Sequence, residues 1–552
     1  MKGLKKLISF AAVCGVLGAS VIPLSACAKS EEVLTLRVAN WEEYIDLGDW
    51  GEDELIDIQN PYAENPDDGI IGRNSIVDDF TEWFNSQNFG YEIKVEYSTF
   101  GTNEDLYNRL KLGDVYDLVC PSDYLIMKLI AEGAVEPYSD DFLDAEDESN
   151  YYTRNVSPYI AGVFSDNGWT QYAACYMWGT VGVMYNPETI EDVEDINNFD
   201  ILLDEDYYKQ VTVKDNVRDA YFAALSILNK DTLLKGDITA EKRTALLNAT
   251  DEETVAAAEA ILKRIKENVY SFETDSGKAD MITGKVAANT QWSGDSVYIM
   301  DEAESDETNP TELWYSVPEE CTNLWFDGWV MLKDGIGGDE RRKQAAEAFV
   351  NFLSRPDNAV RNMYYIGYTS AIASDTMFDY FDWYYGLSLD PEDEEYFDEE
   401  ITEVFEYDVS YYFGGEKGDY TIYIDASTID FDRQKYADYK TTERLGEEYG
   451  NDIEYTVYSG IDDISRGRQA FAQYPPESVI ERSVVMQDFG DRLGAINQMW
   501  INVRCPDLLD FNPVVVWSTA GVIIVLGALI VVYKLRYRLP SLPRRKGKNN
   551  PV

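Results

Sequence analysis

The stretch Thr322-Asn323-Leu324-Trp325-Phe326-Asp327-Gly328-Trp329 places a carboxylate between two tryptophans in a segment that otherwise has the apolar character of a buried strand. Alternation along such a strand puts Trp325 and Asp327 on the same side. A buried aspartate is unfavourable unless it meets a cation, and the face of a tryptophan attracts the same cation. The stretch therefore predicts a cation site or, on the simpler interpretation, a core tryptophan beside a loop aspartate.

The composition favours a cationic partner. At 552 residues the chain exceeds the size at which one hydrophobic core keeps growing, so two or more domains are expected. Its 46 basic and 102 acidic residues give a formal charge of −56, which would repel a nucleic acid. The alternative is that the acidity only keeps an exposed protein soluble.

Histidine is absent from the sequence, which excludes Ser-His-Asp and Cys-His nucleophile pairs and the H-E-x-x-H zinc motif. The sequence also contains no nucleophile elbow, P-loop or dinucleotide-binding glycine motif. We therefore expect a protein that is not an enzyme and has no cofactor or metal site. Carboxylate-only chemistry, as in glycosidases, stays open.

Both ends of the chain carry membrane signals. Three lysines at positions 2, 5 and 6, an apolar run over 7–21 and the sequence Leu24-Ser25-Ala26-Cys27 predict a secretory signal with a lipidated Cys27, or ordinary cleavage nearby. The uncharged segment 514–533 predicts a transmembrane helix, and the basic tail 534–552 is then cytoplasmic. We expect an extracytoplasmic protein anchored to the cell membrane.

Four cysteines lie between these signals, at 120, 175, 321 and 505. Their number and spacing predict a protein held by its core, with at most one or two disulfides.

Between residues 33 and 375 short apolar strands alternate with helical periodicity, which indicates α/β layers. In such sheets ligands bind at the carboxyl ends of the strands. The residues that follow predicted strands are Trp41, Tyr44, Ser122, Tyr124 and the run 215–219. From about 378 to 466 the composition shifts to Asp, Glu and Tyr, and segments such as 391–395 predict a solvated insertion.

Several motifs occur in a specific order. They are Ala39-Asn40-Trp41-Glu42-Glu43-Tyr44, Tyr97-Ser98-Thr99-Phe100, Tyr116-Asp117-Leu118-Val119-Cys120-Pro121-Ser122-Asp123-Tyr124, Lys214-Asp215-Asn216-Val217-Arg218-Asp219, Trp325-Phe326-Asp327 and Ile366-Gly367-Tyr368. Over about 34–373 and 472–504 the chain resembles the spermidine/putrescine-binding proteins of bacterial ABC importers.

The resemblance implies an α/β, two-lobed periplasmic-binding-protein-like fold with a ligand cleft between the lobes, to which this chain adds one C-terminal transmembrane helix. The expected segments are a signal and lipobox (1–27), lobe 1 (33–170), lobe 2 (171–324), a lobe 1 return (325–375), an acidic Tyr-rich insertion (376–470), a lobe 2 return (471–510), the transmembrane helix (514–533) and the tail (534–552).

In the family, rings pack along the methylenes of a polyamine and acids pair with its ammonium groups. The implied ligand-binding residues are Trp41, Tyr44, Ser122, Tyr124, Asn216, Asp219, Trp292, Trp325, Asp327, Tyr368 and Gln487. Asp327 is the expected partner of a central or proximal amine.

The chain departs from the family pattern at four points. Asn216 stands where an acid is usual, and Asp219 is one methylene shorter than the usual glutamate. A segment over 45–73 is inserted, and the acidic insertion separates Gln487 from the other candidates. These changes leave the preference between a diamine and a triamine open.

The leading hypothesis is a receptor that captures spermidine or putrescine and delivers it to the permease subunits of an ABC importer. The alternatives are a receptor of the same fold for another cationic or small organic solute, a carboxylate-based extracellular glycan hydrolase, and a sensor ectodomain.

Overall fold

The structure of the protein, a computed structural model, describes residues 33–306, 309–389, 401–445 and 453–505, together with 525, 526, 529 and 530. The strands are β1 (Val33–Trp41), β2 (Glu92–Phe100), β3 (Leu118–Val119), β4 (Val135–Glu136), β5 (Ala174–Tyr185), β6 (Val211–Lys214), β7 (Ser271–Glu273), β8 (Ala288–Trp292), β9 (Trp314–Ser316), β10 (Thr322–Leu332), β11 (Thr369–Ser370), β12 (Glu403–Asp408), β13 (Thr421–Asp425), β14 (Ile429–Asp430), β15 (Lys440–Leu445), β16 (Ile453–Tyr458), β17 (Arg466–Gly467) and β18 (Ser483–Val484).

The helices alternate with these strands along the chain. They are α1 (Ile76–Ser86), α2 (Asn103–Leu112), α3 (Asp123–Ala131), α4 (Tyr151–Asn155), α5 (Pro158–Asp166), α6 (Val217–Leu233), α7 (Ala240–Leu247), α8 (Glu252–Asn268), α9 (Ser276–Ile282), α10 (Ser293–Glu304), α11 (Lys333–Ile336), α12 (Glu340–Leu353), α13 (Pro356–Ile366), α14 (Asp375–Tyr385), α15 (Ser410–Phe413), α16 (Gln469–Gln473), α17 (Glu477–Glu481) and α18 (Leu493–Arg504).

Lobe 1 is built on the parallel strands β2–β1–β3, beside which the end of β10 runs antiparallel. In β1 the apolar side chains Leu34, Leu36 and Val38 are buried and alternate with more exposed residues, as the period of the sequence predicts. Because β1, β2 and β3 are parallel, their carboxyl ends meet at one edge of lobe 1.

Lobe 2 is built on the parallel strands β7–β6–β8, and β8 pairs antiparallel with the second half of β5. Helices α6, α8 and α18 pack on one another beside this sheet, and their apolar residues share one core. The carboxyl ends of β6 and β8 lead directly into the starts of α6 and α10. This edge of lobe 2 is therefore the second place where ligand-binding residues are expected.

The strands β5 and β10 cross between the lobes. They pair antiparallel from Leu324 opposite Thr180 to Trp329 opposite Ala174, with a bulge between Asp327 and Gly328. Every residue of both strands is buried, because each end of each strand is inserted into a sheet of the protein. A bulge redirects the side chains beside it, so Asp327 lies at a point where the strand geometry is locally changed.

The inserted segment 45–73 is fastened to the lobe by a buried ion cluster. Arg361 of α13 forms an ion pair with Asp46 and a second one, of 2.6 Å, with Asp79 of α1. The indole N–H of Trp50 donates to Asp46 at 3.0 Å. The insertion is thus held by charge pairs that link it to two helices of lobe 1.

The acidic Tyr-rich segment is more structured than its composition suggests. Its described part contains a second sheet in the order β13–β12–β16–β15. Along β12 and β13 alternate residues such as Phe405, Tyr407 and Ile424 are buried in the larger core. The stretch 391–395, predicted to be solvated, lies outside the described residues.

The prediction of a transmembrane helix at 514–533 is wrong for this fold, since no helix in the described part of the chain is long and apolar enough to cross a bilayer. A span needs about 20 consecutive apolar residues. The longest described helices, α6 and α8, have 17 residues each and carry charged side chains. Of the predicted segment only residues 525, 526, 529 and 530 are described; the segments 1–27 and 534–552 lie outside the described residues.

The four cysteines between the terminal signals are free thiols. Cys120, Cys175 and Cys321 are buried and Cys505 is exposed. Within the described ranges the lobes are therefore held by their cores.

Candidate functional site

Asp327 lies in the crossing strand β10 and is held by two hydroxyl groups of lobe 1. The Tyr44 hydroxyl donates to Oδ2 at 2.9 Å, and the Ser122 hydroxyl donates to Oδ1 at 2.7 Å. Tyr44 belongs to the turn after β1, and Ser122 precedes α3 at the end of β3. Two strand ends of lobe 1 thus orient one carboxylate.

Asp327 is only 6% exposed. Burial raises its pKa to about 6, and the hydrogen bonds from Ser122 and Tyr44 oppose that rise. Among the described residues no lysine or arginine forms an ion pair with Asp327. A carboxylate that is desolvated and lacks a counter-charge favours the binding of a cation.

Three aromatic rings contact one another in a row that begins at Tyr44, the donor to this carboxylate. The Tyr368 ring contacts the edge of Tyr44 at 5.0 Å between centroids and Trp325 at 5.7 Å. The Trp325 indole donates to the Thr180 carbonyl at 3.3 Å, which fixes the ring against β5. These rings give the site an apolar wall with π faces that attract cations.

A second carboxylate with similar properties lies on lobe 2. Asp219 is in the first turn of α6 and accepts a hydrogen bond from the Trp292 indole at 3.1 Å. Burial raises the pKa of Asp219 to about 6, against the opposing effects of that hydrogen bond and of the Arg218 and Lys214 charges. No ion pair joins Asp219 to another residue in the described part of the chain.

Asp295 connects the two groups and was not predicted from the sequence. The Tyr368 hydroxyl donates to Asp295 at 2.8 Å, and Lys278 and Lys214 pair with it at 2.9 and 3.4 Å. Although burial acts to raise it, the two lysines hold the pKa of Asp295 below its usual value. Asp295 is therefore neutralised by the protein itself. Its position just after β8, at the start of α10, is the signal that could have identified it.

Lys214 and Arg218 are cations within the site that sequence reasoning also missed. The Lys214 ammonium lies 4.4 Å from the Trp292 ring centroid. The Arg218 guanidinium lies 3.8 Å from the Tyr124 ring centroid, and its Nη2 donates to the Gln487 carbonyl at 2.5 Å. Both belong to the motif 214–219, in which the sequence predicts ligand contacts only for Asn216 and Asp219.

Three further predicted residues make contacts outside this group. The Asn216 side chain caps α6 by accepting from the Arg218 backbone N–H at 2.8 Å. Trp41 packs on Phe100 at 4.8 Å, and its buried indole N–H has no hydrogen-bond partner among the described residues. Gln487 is exposed and contributes its backbone carbonyl.

The geometry brings together most of the predicted set in one chain of contacts. Tyr44, Ser122, Asp327, Tyr368 and Trp325 form its first part. Asp295 and Lys214 connect these residues to the pair Trp292 and Asp219. Acids and rings from both lobes and from a crossing strand therefore share one site.

Comparison with known proteins identifies the family of the chain. The family model for bacterial extracellular solute-binding proteins matches residues 76–375. A spermidine/putrescine-binding periplasmic protein of Salmonella typhimurium is 28% identical over 279 residues, which cover 50% of this chain and 70% of that protein. A putrescine-binding periplasmic protein of Escherichia coli is 25% identical over 295 residues, covering 50% of this chain and 71% of that protein.

One solved structure shows the fold. A protein from Listeria monocytogenes, provisionally assigned to a spermidine/putrescine ABC transporter, superposes with a TM-score of 0.51 at 19% identity, covering 85% of this chain and 98% of that one. These matches confirm the resemblance inferred from the motifs, together with the two-lobed α/β fold. The matched family consists of solute-binding receptors. The chain belongs to the family of bacterial extracellular solute-binding proteins.

Proposed function

We propose that this protein is an extracytoplasmic receptor that binds a polyamine between its lobes and delivers it to an ABC permease, without catalysing a reaction. The observation that carries the proposal is the pair Asp327 and Asp219. Asp327 is buried and Asp219 is half-buried, desolvation raises the pKa of each carboxyl to about 6, and both adjoin aromatic rings. An ammonium group beside each would offset the unfavourable burial of its charge.

The rings suit the rest of such a ligand. A polyamine alternates ammonium groups with methylene runs, and Tyr44, Tyr368 and Trp325 present apolar faces beside Asp327. Each ring in contact with an ammonium contributes about 0.5–2 kcal/mol. The names of the relatives support the same ligand class, since they are spermidine/putrescine- and putrescine-binding proteins.

Calorimetric titration of the purified protein tests the proposal. Putrescine and spermidine are expected to bind with a stoichiometry of one and a dissociation constant in the micromolar range or below. The neutral diol 1,4-butanediol, which has the length of putrescine without its charges, is the matched control and is expected not to bind. Absence of heat with every polyamine, or equal binding of the diol, would contradict the proposal. Turnover of a chromogenic glycoside would support the hydrolase alternative instead.

A Gly294→Ala variant tests whether the Tyr368 ring lines the ligand. A Cβ at position 294 would lie 2.3 Å from the Tyr368 ring, which cannot retreat freely because its hydroxyl is bonded to Asp295. Overpacking of this kind costs about 1–3 kcal/mol. We expect putrescine affinity to fall at least about fivefold, as measured by calorimetry.

Gly162→Ala is the control for this variant, because a Cβ at position 162 in α5 meets no atom within 4 Å. Its affinity is expected to match the parent. Unchanged affinity in Gly294→Ala would place Tyr368 outside the ligand contact.

We also propose that Cys27 carries a lipid. The proposal is supported by the sequence Leu24-Ser25-Ala26-Cys27 after an apolar run, and by the extracellular family. Intact mass measurement of detergent-extracted protein would show the acyl mass on the parent and its loss in Cys27→Ala. A parent without that mass would contradict lipidation.

A further inference from the structure

Tyr368 stands on a short connection between the helix α13 and the two-residue strand β11. Gly367, just before it, ends the helix in the left-handed region with a φ of 75°. The strand β11 pairs with β5 through Thr369 and Ser370 alone. The ring itself contacts Tyr44 and Trp325, so it belongs to the site. The position of the Tyr368 ring in the site therefore depends on what holds the backbone on either side of it.

Gln473, the last residue of α16, holds that backbone on both sides of Tyr368. Its Nε2 donates to the Gly367 carbonyl at 3.2 Å, and the Thr369 hydroxyl donates to the Gln473 carbonyl at 2.9 Å. Because a carbonyl oxygen can only accept, the amide nitrogen rather than Oε1 must face Gly367. Gln473 is 2% exposed. Both neighbours of Tyr368 are thus bonded to one buried glutamine.

The acidic Tyr-rich insertion binds the other side-chain atom of Gln473. The Tyr385 hydroxyl, at the end of α14, donates to Oε1 at 3.0 Å. Nearby, the Tyr412 hydroxyl of α15 donates to the Ser370 carbonyl. The Tyr412 ring also stacks on Trp178 of β5, with centroids 5.3 Å apart. The insertion therefore packs behind the strand that follows Tyr368.

We propose that Gln473 is a positioning residue that orients the Tyr368 ring toward the ligand, and that Tyr385 makes the acidic insertion part of this support. The inference rests on the proposed function and extends it to residues that act through Tyr368. Both polar side-chain atoms of Gln473 are bonded within the protein. A binding group must be held within about 0.5 Å of its productive position, which requires such supporting bonds.

The first test is Gln473→Met, which keeps a side chain of similar length and removes both side-chain hydrogen bonds. Putrescine affinity is expected to fall about tenfold, as measured by calorimetry. Gln469→Met is the matched control, because Gln469 lies one turn earlier in α16 and donates to Asp301 at 3.0 Å. It is expected to keep the affinity of the parent. Absence of polyamine binding by the parent would instead contradict the proposed function itself.

The second test repeats Gln473→Met in a Tyr368→Ala background. If Gln473 acts through the ring, the substitution causes no further loss once the ring is gone, so the two losses are not additive. A general loosening of the fold would lower affinity by the same factor in both backgrounds. That outcome, full affinity in a folded Gln473→Met protein, or an equal loss in Gln469→Met would overturn the assignment of Gln473.

The third test, Tyr385→Phe, removes one hydroxyl and leaves the ring in place. Affinity is expected to fall about threefold in the parent and to stay unchanged in the Tyr368→Ala background. Tyr384→Phe, which removes the hydroxyl of the exposed neighbouring tyrosine, is the control and should bind as the parent does. Unchanged affinity in Tyr385→Phe would overturn the part assigned to the insertion. If Gln473→Met does not fold, the same result would overturn the whole inference.

Discussion

Asp327→Asn is expected to lower putrescine affinity by at least about 100-fold, because truncating one partner of a buried charge pair costs about 2–5 kcal/mol. The amide keeps the size of the side chain, its one oxygen can accept from one of the two hydroxyl groups, and its NH2 can donate to the oxygen of the other. The loss would therefore report the missing charge. Calorimetry or competition against a bound fluorescent polyamine measures it.

The stability of the same variant separates this explanation from misfolding. In the unliganded protein the Asp327 charge is buried without an ion pair among the described residues, so replacing it with a neutral amide removes an unfavourable feature. The melting temperature of unliganded Asp327→Asn is expected to equal or exceed that of the parent at pH 7.5. Asp200→Asn, which breaks the partly exposed 2.6 Å pair with Lys230, changes the net charge equally and should keep full affinity. Full binding by Asp327→Asn would contradict the assigned site.

Putrescine affinity is expected to fall about 100-fold between pH 7.5 and pH 5, since two carboxyl groups lose charge in that interval. Burial raises the pKa of both Asp327 and Asp219 to about 6 in the unliganded protein. A bound ammonium favours the charged carboxylate, so binding below pH 6 must displace a proton from each group. The ligand itself keeps its charge, because aliphatic amines titrate near pH 10.

The groups around Asp327 and Asp219 do not reverse the fall in putrescine affinity at low pH. Tyr44, Tyr368, Cys120 and Cys175 face Asp327, and burial raises the pKa of each well above its usual value, so they stay neutral. Asp123, whose pKa burial raises to about 7, loses negative charge over the same interval and weakens cation binding further. The titrating groups near the ligand therefore all lose negative charge as the pH falls, and each loss weakens cation binding.

Asp219→Asn provides the control for the pH dependence. It leaves Asp327 as the single titrating partner, so the fall between pH 7.5 and pH 5 should shrink to about tenfold. Arg218 and Lys214, which interact with Asp219, remain charged throughout. Titrations in buffers of different ionisation enthalpy would show proton uptake by the buffer on binding at pH 6. Affinity that does not change with pH would rule out carboxylates with raised pKa values as the ligand partners.

The sequence was sufficient to predict those features whose physical signal comes from neighbouring residues in the chain. Alternation in 322–329 predicted that Trp325 and Asp327 belong together on a buried strand, and both lie in β10. Strand ends predicted Tyr44 and Ser122, which donate to that carboxylate. Such features depend on neighbours within a few residues, whose spacing along a strand is regular.

One prediction from a local signal was wrong, and a second segment shows why average composition is a weak guide to burial. The uncharged run 514–533 predicted a transmembrane helix, which the described helices do not provide. From about 378 to 466 the composition predicts a solvated insertion, and the described strands of this stretch bury Phe405 and Tyr407 in the core. Composition measures average polarity, whereas burial depends on which alternate residues face the core.

The amino-acid sequence by itself determined the α/β class, the strand that carries Asp327, and the exclusion of histidine chemistry. Only the tertiary structure decided which charges remain available to a ligand. Arg218 and Gln487 are 269 positions apart, and Lys214 and Asp295 are 81 apart, yet each pair is in contact. The physical reason is that hydrophobic periodicity is a property of the order of residues in the sequence. Charge compensation depends instead on distances of a few ångströms that exist only after the lobes have folded.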